Sequence, residues 1–444
     1  MALRIARVLH AGYVFSCDGV EIVFDPIFEN PFSRNCHAFP DVRFDQDAIR
    51  RLRPAAVFIS HYHDDHCSFE SLDLLPRDTP IYMYCLFEEM FDMLRALGFQ
   101  HVHQVRTNEP VVIGPFTVTP REALDREVDS MFQIRAGGMN VLNVVDAWIG
   151  PASVDRMVDA GPWDMVLWPF QTLRELAVLS PRCADPAAGL PEEFIDQLCR
   201  LAPRYVVPSS CQFVQEPWSW YNHAMFPITY AAFETAVQAA LPNACVVRMN
   251  PSAAFLLDAA GLTPEAPLPW VIPVGDQWRD FDYRPGLAPP HTEEIAGHFP
   301  ALLAHERARI GDYCSADLLA KYRNMSADED SYFERARLWR LRLYDRDGSV
   351  LEFNYRVHGN SIAATSADGA PPDWCTDLPA AKLYAALERG ESLTSMYVRI
   401  NDIDFPRATQ VALESAEVTD DPLVRCLFND VFGAYQAAQL ARLR

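Results

Sequence analysis

The chain has 444 residues, half of them hydrophobic, with a formal net charge of −22 and a pI near 4.9. That length exceeds what one hydrophobic core usually organises, so two domains are expected. A strongly acidic chain repels polyanions, which excludes nucleic acid and an anionic membrane as its main partners.

The opening "MALRIARVLHAG" lacks the pattern of a secretion signal, and no run of 18 apolar residues occurs, so a cytoplasmic location is expected. Residues 3–7 and 20–24 read as short strands with a turn at 17–20, and "VFDP" ends the second strand at Asp25. A helix is predicted over 46–52 and a buried strand over 55–60. Strand-like runs follow at 80–84, 111–118, 131–135, 141–145, 165–168 and 205–208, with helices at 86–97, 192–201 and 229–240. This alternation predicts a layered α/β domain over residues 1–260, with strand-to-loop transitions as the natural places for catalytic groups. The proline density of 261–299 reads as an extended connection, and 300–444 as a smaller α+β accessory domain. In the latter, "LWRLRLYD" and "VLEFNYRVHG" form a predicted hairpin across "RDGS". A helix over 378–393 ends near Gly390, "TSMYVRINDIDF" reads as a strand, and the amphipathic stretch from Asp421 to Arg444 reads as a helix.

The eleven cysteines, Cys183 among them, form no CxxC pair and read as reduced, mostly buried thiols. Histidines are scarce, 12 in all, yet three of them fall in "SHYHDDH" directly after the predicted strand 55–60. Imidazoles and a carboxylate at this spacing can converge as the chain leaves a strand. His61 and His63 then suit one metal ion, and Asp65 and His66 a second. Asp65 and His66 are also the pair expected to take part in the chemistry. His101 and His103 read as surface strand residues. The aromatic run containing Trp218, Trp220 and Tyr221 is a candidate substrate-contact wall.

The HxHxDH cluster resembles the motif of the metallo-β-lactamase superfamily, whose αββα sandwich places it at a strand end. "RVLHAGYVFSCDGVEIVFDPIF" is similar to the opening of the lactonase-like branch. "NVVDAW", "YVVPSSCQF" and "WYNHAMFP" are similar to CMP-N-acetylneuraminate hydroxylase-like proteins. The resemblance spans about residues 3–257. It implies Asp146 as a carboxylate bridging two ions. It also implies a further ligand where the family commonly has a histidine and this chain reads "REALDREVDSMF"; Glu122 is placed first there and Asp129 next. For the last family histidine the chain offers Ser209 and Ser210, leaving His223 as the nearest substitute. His10 either faces the site or is a buried hydrogen-bonded residue. The accessory domain is similar in its element order to sterol-carrier-like domains.

The expected cofactors are two divalent ions, zinc or iron, with manganese a third option. The expected function is a hydrolase in which a metal-bound hydroxide attacks a small-molecule ester, lactone, amide or phosphoester. The alternatives are a dinuclear-iron oxygenase, which needs an electron donor because the chain has no Rieske pair, and a non-catalytic binding protein. A homodimer is compatible with either enzyme.

Overall fold

A computed structural model describes residues 2–182, 189–325, 331–366, 369–428 and 432–444; Cys183 and residues 429–431 of the last predicted helix lie outside them. The chain divides into two compact units, Met1–Leu173 with Ala187–Tyr283 and Gln439–Arg444, and Arg174–Pro186 with Arg284–Ala438.

The first unit contains two large mixed sheets. One has eight strands in the order Leu262–Glu265, Ala254–Leu257, Leu3–Arg7, Tyr13–Cys17, Val20–Phe24, Ala56–Ile59, Ile81–Met83 and Val102–Gln104. Pairing is antiparallel up to Val20–Phe24 and parallel beyond it. The second has seven strands, in the order Cys245–Val246, Tyr205–Ser209, Met165–Pro169, Met139–Asn143, Ser130–Ala136, Phe116–Glu122 and Val111–Ile113. The period-two alternation of the strands decides how the sheets meet. Ile5, Phe15, Phe24 and Phe58 from the first sheet share one core with Val118, Phe132, Ile134 and Leu167 from the second. Phe132 closes it, with ring centroids 5.2 Å from Phe24 and 5.8 Å from Phe58. The intervening residues Val14, Val23, Val57 and Ile59 are also fully buried, as expected of sheets covered on both faces. This is the mixed α/β layering predicted from the sequence.

Helices form where the periodicity places them, at Glu88–Ala96, Glu192–Leu201 and Tyr230–Ala240. Thr229 caps the last of these by accepting from the Ala232 N–H at 3.0 Å. The proline-rich stretch is partly structured: Leu262–Glu265 pairs with Ala254–Leu257, and Val271–Pro273 pairs with Val42–Phe44. Proline is tolerated there because such strands lie at sheet edges or in two-stranded ribbons.

The second unit is built on a five-stranded sheet ordered Ser361–Ala364, Val350–His358, Arg337–Tyr344, Trp374–Pro379 and Arg399–Ile400. The predicted hairpin is present, with Tyr344 opposite Val350 and Gly348 at φ 80° in its turn. The helix Ala380–Arg389 stops at Gly390, which adopts φ 68°. A Cβ at that position would lie 2.7 Å from the Ala434 carbonyl carbon, so glycine is required by space as well as by conformation. Two expectations change. "TSMYVRINDIDF" supplies only the two-residue strand Arg399–Ile400, because Thr394–Met396 forms a 3-10 turn and Tyr397 is left-handed at φ 55°. The last stretch contains two helices, Pro422–Phe428 and Ala434–Leu443, with Gly433 at φ 63° before the second.

Candidate metal centre

Four strand ends of the first unit converge. The strand Ala56–Ile59 runs straight into Ser60 and His61, and the following turn closes through His66 N–H and Cys67 N–H donating to the His63 carbonyl at 3.0 and 2.8 Å. His10 follows Leu3–Arg7, Asp146 follows Met139–Asn143, and Asp129 immediately precedes Ser130–Ala136. Ser130 fixes this last approach, since its buried hydroxyl donates to the Ser60 carbonyl at 2.8 Å. The two sheets are thereby tied together one residue from His61 on one side and one residue from Asp129 on the other.

The result is two groups of side chains that could hold a metal ion: His10, Asp65, His66 and Asp146, and His61, His63 and Asp129. In the first, His10 Nε2 lies 3.0 Å from His66 Nε2 and 3.1 Å from Asp65 Oδ2, and His66 Nε2 lies 3.0 Å from Asp146 Oδ2. Ligands held about 2.1 Å from one ion stand roughly 3.0–3.4 Å from each other in octahedral or tetrahedral geometry. Three pairs of the first group are near that spacing, while His66 Nε2 and Asp65 Oδ2 stand 3.7 Å apart. In the second, His61 Nε2 is 2.9 Å from His63 Nδ1 and 3.8 Å from Asp129 Oδ1. Asp146 connects the groups: Oδ2 faces His66, while the buried Oδ1 lies 3.9 Å from His61 Nε2 and accepts no hydrogen bond. A buried carboxylate oxygen without a donor is costly unless a cation meets it, and here it is aimed at the second group. The donor set therefore fits metal binding, with Asp146 in the first group and its Oδ1 facing the second.

The electrostatics differ between the two groups, favouring a neutral ring at His61 and positive charge beside Asp65 and Asp146. Burial, reinforced by the neighbouring His66, holds the His61 pKa well below the ordinary imidazole value, leaving the neutral form that ligates metals. Burial alone would lower His66 as well, but Asp146 and Asp65 raise its pKa well above normal. Burial opposes ionisation of Asp65 and Asp146, yet the adjacent imidazoles hold both carboxyls below the usual range. Burial and the proximity of Asp146 push Asp129 up to about 6. These carboxylates draw positive charge into one small volume.

Asp25 organises the ring orientations from behind. Its Oδ1 accepts from the Ser60 N–H at 2.7 Å, and its Oδ2 accepts from the Ser60 hydroxyl at 2.7 Å and lies 3.1 Å from His66 Nδ1. The Ser60 oxygen is also 2.9 Å from His61 Nδ1. One carboxylate thus sets the ring of His66 directly and that of His61 through a hydroxyl, leaving both Nε2 atoms for ligands.

The remaining sequence candidates lie elsewhere. Glu122 pairs with Arg126 at 2.6 Å and Arg156 at 3.1 Å and belongs to neither group. His223 lies beside Asp282, with Nδ1 2.9 Å from the Asp282 carbonyl oxygen. Trp220 and Tyr221 are buried, 6% and 0% exposed, and Trp218 is half-buried. Aromatic rings that do meet candidate ligands include Phe32 and Phe213, each 5.8 Å from the His10 ring, and Tyr62, 5.4 Å from the His63 ring; Trp148, 42% exposed, packs on Phe194. Ser60 and Ser130 carry no signal of their own in the sequence; only their places beside His61 and Asp129 mark them.

No family model matches the chain, and no curated protein does. Among solved structures, it is similar to Igni18, a metallo hydrolase from Ignicoccus hospitalis, at 17% identity and a TM-score of 0.39, covering 58% of this chain and 99% of that one. It is similar to CmlA, a diiron β-hydroxylase from Streptomyces venezuelae, at 17% identity and a TM-score of 0.40, covering 58% of this chain and 53% of that one. The chain thus spans about half of CmlA. It is also similar to YhfI, a metallo-β-lactamase fold protein from Bacillus subtilis, at 12% identity and a TM-score of 0.40, covering 58% of this chain and all of the other, 100%.

Proposed function

We propose that this protein is a dinuclear metal-dependent hydrolase acting on a small-molecule ester, lactone, amide or phosphoester. The observation that carries the proposal is the shared carboxylate of Asp146, which presents one oxygen to His66 and the other to His61. His61, His63 and Asp129 would hold one ion, and His10, Asp65 and His66 the other. Divalent ions in such a pair polarise a substrate oxygen and bring the pKa of a coordinated water toward neutrality. The protein's own part is positional: Asp25 and Ser60 fix the ring orientations, and the Ser130 hydroxyl keeps the Asp129 loop against the His61 strand end. Tyr62 lies with its ring 5.4 Å from that of His63, which supports a substrate with an apolar group. Among the described residues no helix is long and apolar enough to cross a membrane.

A dinuclear-iron oxygenase is the second reading. It is favoured by Asp129, which puts a third carboxylate into the donor set where a third imidazole would suit zinc better. Metal analysis of protein purified without added metal, with optical and Mössbauer spectra, separates them. Two zinc ions per chain with hydrolytic turnover support the hydrolase, and two irons with an oxo-bridge signature replace it with the oxygenase. A chain that binds no transition metal overturns both. His63→Ala is expected to lose one ion, and wild-type metal content in that variant refutes the ligand assignment.

A further inference from the structure

We propose that Gln439 is a positioning residue for the metal-binding loop, holding the backbone that follows His66. The inference rests on reading His10, Asp65, His66 and Asp146 as one cation pocket. The one-turn helix Phe69–Leu72 begins three residues after His66, and its first N–H groups have no partner within the helix. Its cap, Ser68, reaches only the Ser71 N–H, at 3.4 Å. The Phe69 N–H is satisfied from 370 residues away, donating to Gln439 Oε1 at 2.7 Å. The same amide donates through Nε2 to the Ser68 hydroxyl at 3.0 Å. Gln439 is fully buried, 0% exposed, and belongs to the segment Gln439–Arg444 of the first unit. One side chain therefore supplies an acceptor and a donor to two consecutive residues, which an apolar side chain of equal size cannot do.

The contact continues toward the ligands. Ser68 donates to Glu29 Oε1 at 2.7 Å, Ser71 donates to Glu29 Oε2 at 3.3 Å, and the Phe28 N–H donates to the Ser71 hydroxyl at 2.8 Å. Phe28 and Glu29 lie just beyond Asp25, the residue that orients His66. His66 is thus fixed at its ring by Asp25 and along its backbone by the Ser68–Phe69 junction, and Gln439 holds that junction. Three residues later in this segment, Arg442 donates to Glu70 at 2.7 and 3.2 Å, an exposed pair on the same short helix.

Cobalt(II) titration of the full chain tests the proposal, with visible absorption and chelator competition reading each equivalent and thermal melting reading the fold. The wild type is expected to take two equivalents. Gln439→Met, close to isosteric, is expected to weaken one equivalent about tenfold or more and shift its absorption bands, leaving the other equivalent unchanged. Arg442→Ala is expected to bind as wild type does. Ser68→Ala, a milder change, is expected to reproduce the selective loss and serves if Gln439→Met melts below the assay temperature. Unchanged cobalt affinities in Gln439→Met and Ser68→Ala overturn the proposal, as does equal weakening of both equivalents. A wild-type chain that takes up no cobalt overturns the metal reading itself, and that result is seen before any variant is made.

Discussion

Glu29 gives a prediction that depends on neither metal nor substrate. Burial pushes its carboxyl up to about 7, against the opposing hydrogen bonds from Ser68 and Ser71. In the unfolded chain a glutamate titrates near 4.5. Between these two values the folded protein binds a proton that the unfolded chain has released, so stability falls as pH rises through this window. At full strength a shift of this size corresponds to about 3 kcal/mol; the side chain keeps some solvent contact, so about 2 kcal/mol is expected. Glu29→Gln removes the titration while retaining an oxygen for the Ser68 hydroxyl. Urea unfolding of both proteins at pH 4.5 and pH 8.5 isolates the effect as a difference of differences, in which the other titrating groups cancel. The variant should gain about 2 kcal/mol on the wild type at the higher pH relative to the lower. A constant gap between the two proteins at both pH values would show that the carboxyl ionises normally and refute the reasoning.

Two further variants probe the first unit. Asp25→Asn places an amide N–H opposite His66 Nδ1 and should lower metal affinity about 10- to 100-fold by chelator competition, with little change in melting temperature; unaltered affinity would remove Asp25 from the site. Trp220→Ala, at a side chain only 6% exposed, should destabilise by about 3–5 kcal/mol in denaturant unfolding, and a loss below 1 kcal/mol would mean that this aromatic segment is not core.

The histidine cluster was legible because its chemistry is local: three imidazoles and a carboxylate fall within six residues after a strand, and no distant contact is needed to bring them together. Asp129 was not legible in the same way. A linear reading favours Glu122, the carboxylate closest to the strand end, but Arg126 and Arg156 pair with it. Asp129 reaches His61 because Ser130 is anchored to a carbonyl 70 residues earlier in the chain. His10 shows a similar limit: its sequence context fits a core histidine as well as a ligand, and what separates the two is a backbone turn at φ 52°. The aromatic density around Trp220 read as a wall, whereas Phe226 stacks on Phe281 and meets Phe213 edge-on, both at 5.3 Å, so this irregular segment supplies core. Composition marks aromatic residues but not the side of the chain on which their neighbours lie.

Backbone strain links fold to site. His10, Asp25, Val145, Ser210 and Cys211 all have positive φ, between 38° and 64°, and all lie at the ends of strands that lead toward the metal-ligating groups. Each such position costs of order 1–3 kcal/mol, and Val145, being β-branched, is the least suited of them. Strain of that total is comparable with the net stability of a typical domain, so it persists only where other contacts over-determine it. Those contacts are present. The buried Arg7 guanidinium donates to the His10 carbonyl and, at 2.7 Å, to Tyr13. Ser60 holds both oxygens of Asp25, and the Val145 N–H donates to the Asn143 side chain at 3.2 Å. In each case a tight left-handed turn ends a strand abruptly and delivers the side chain at or just after it, His10, Asp25 or Asp146, into one volume. A relaxed exit would continue the pleat, and successive side chains would alternate between faces. The strained turns at His10, Asp25 and Val145 thereby help bring side chains from separate strands into one volume.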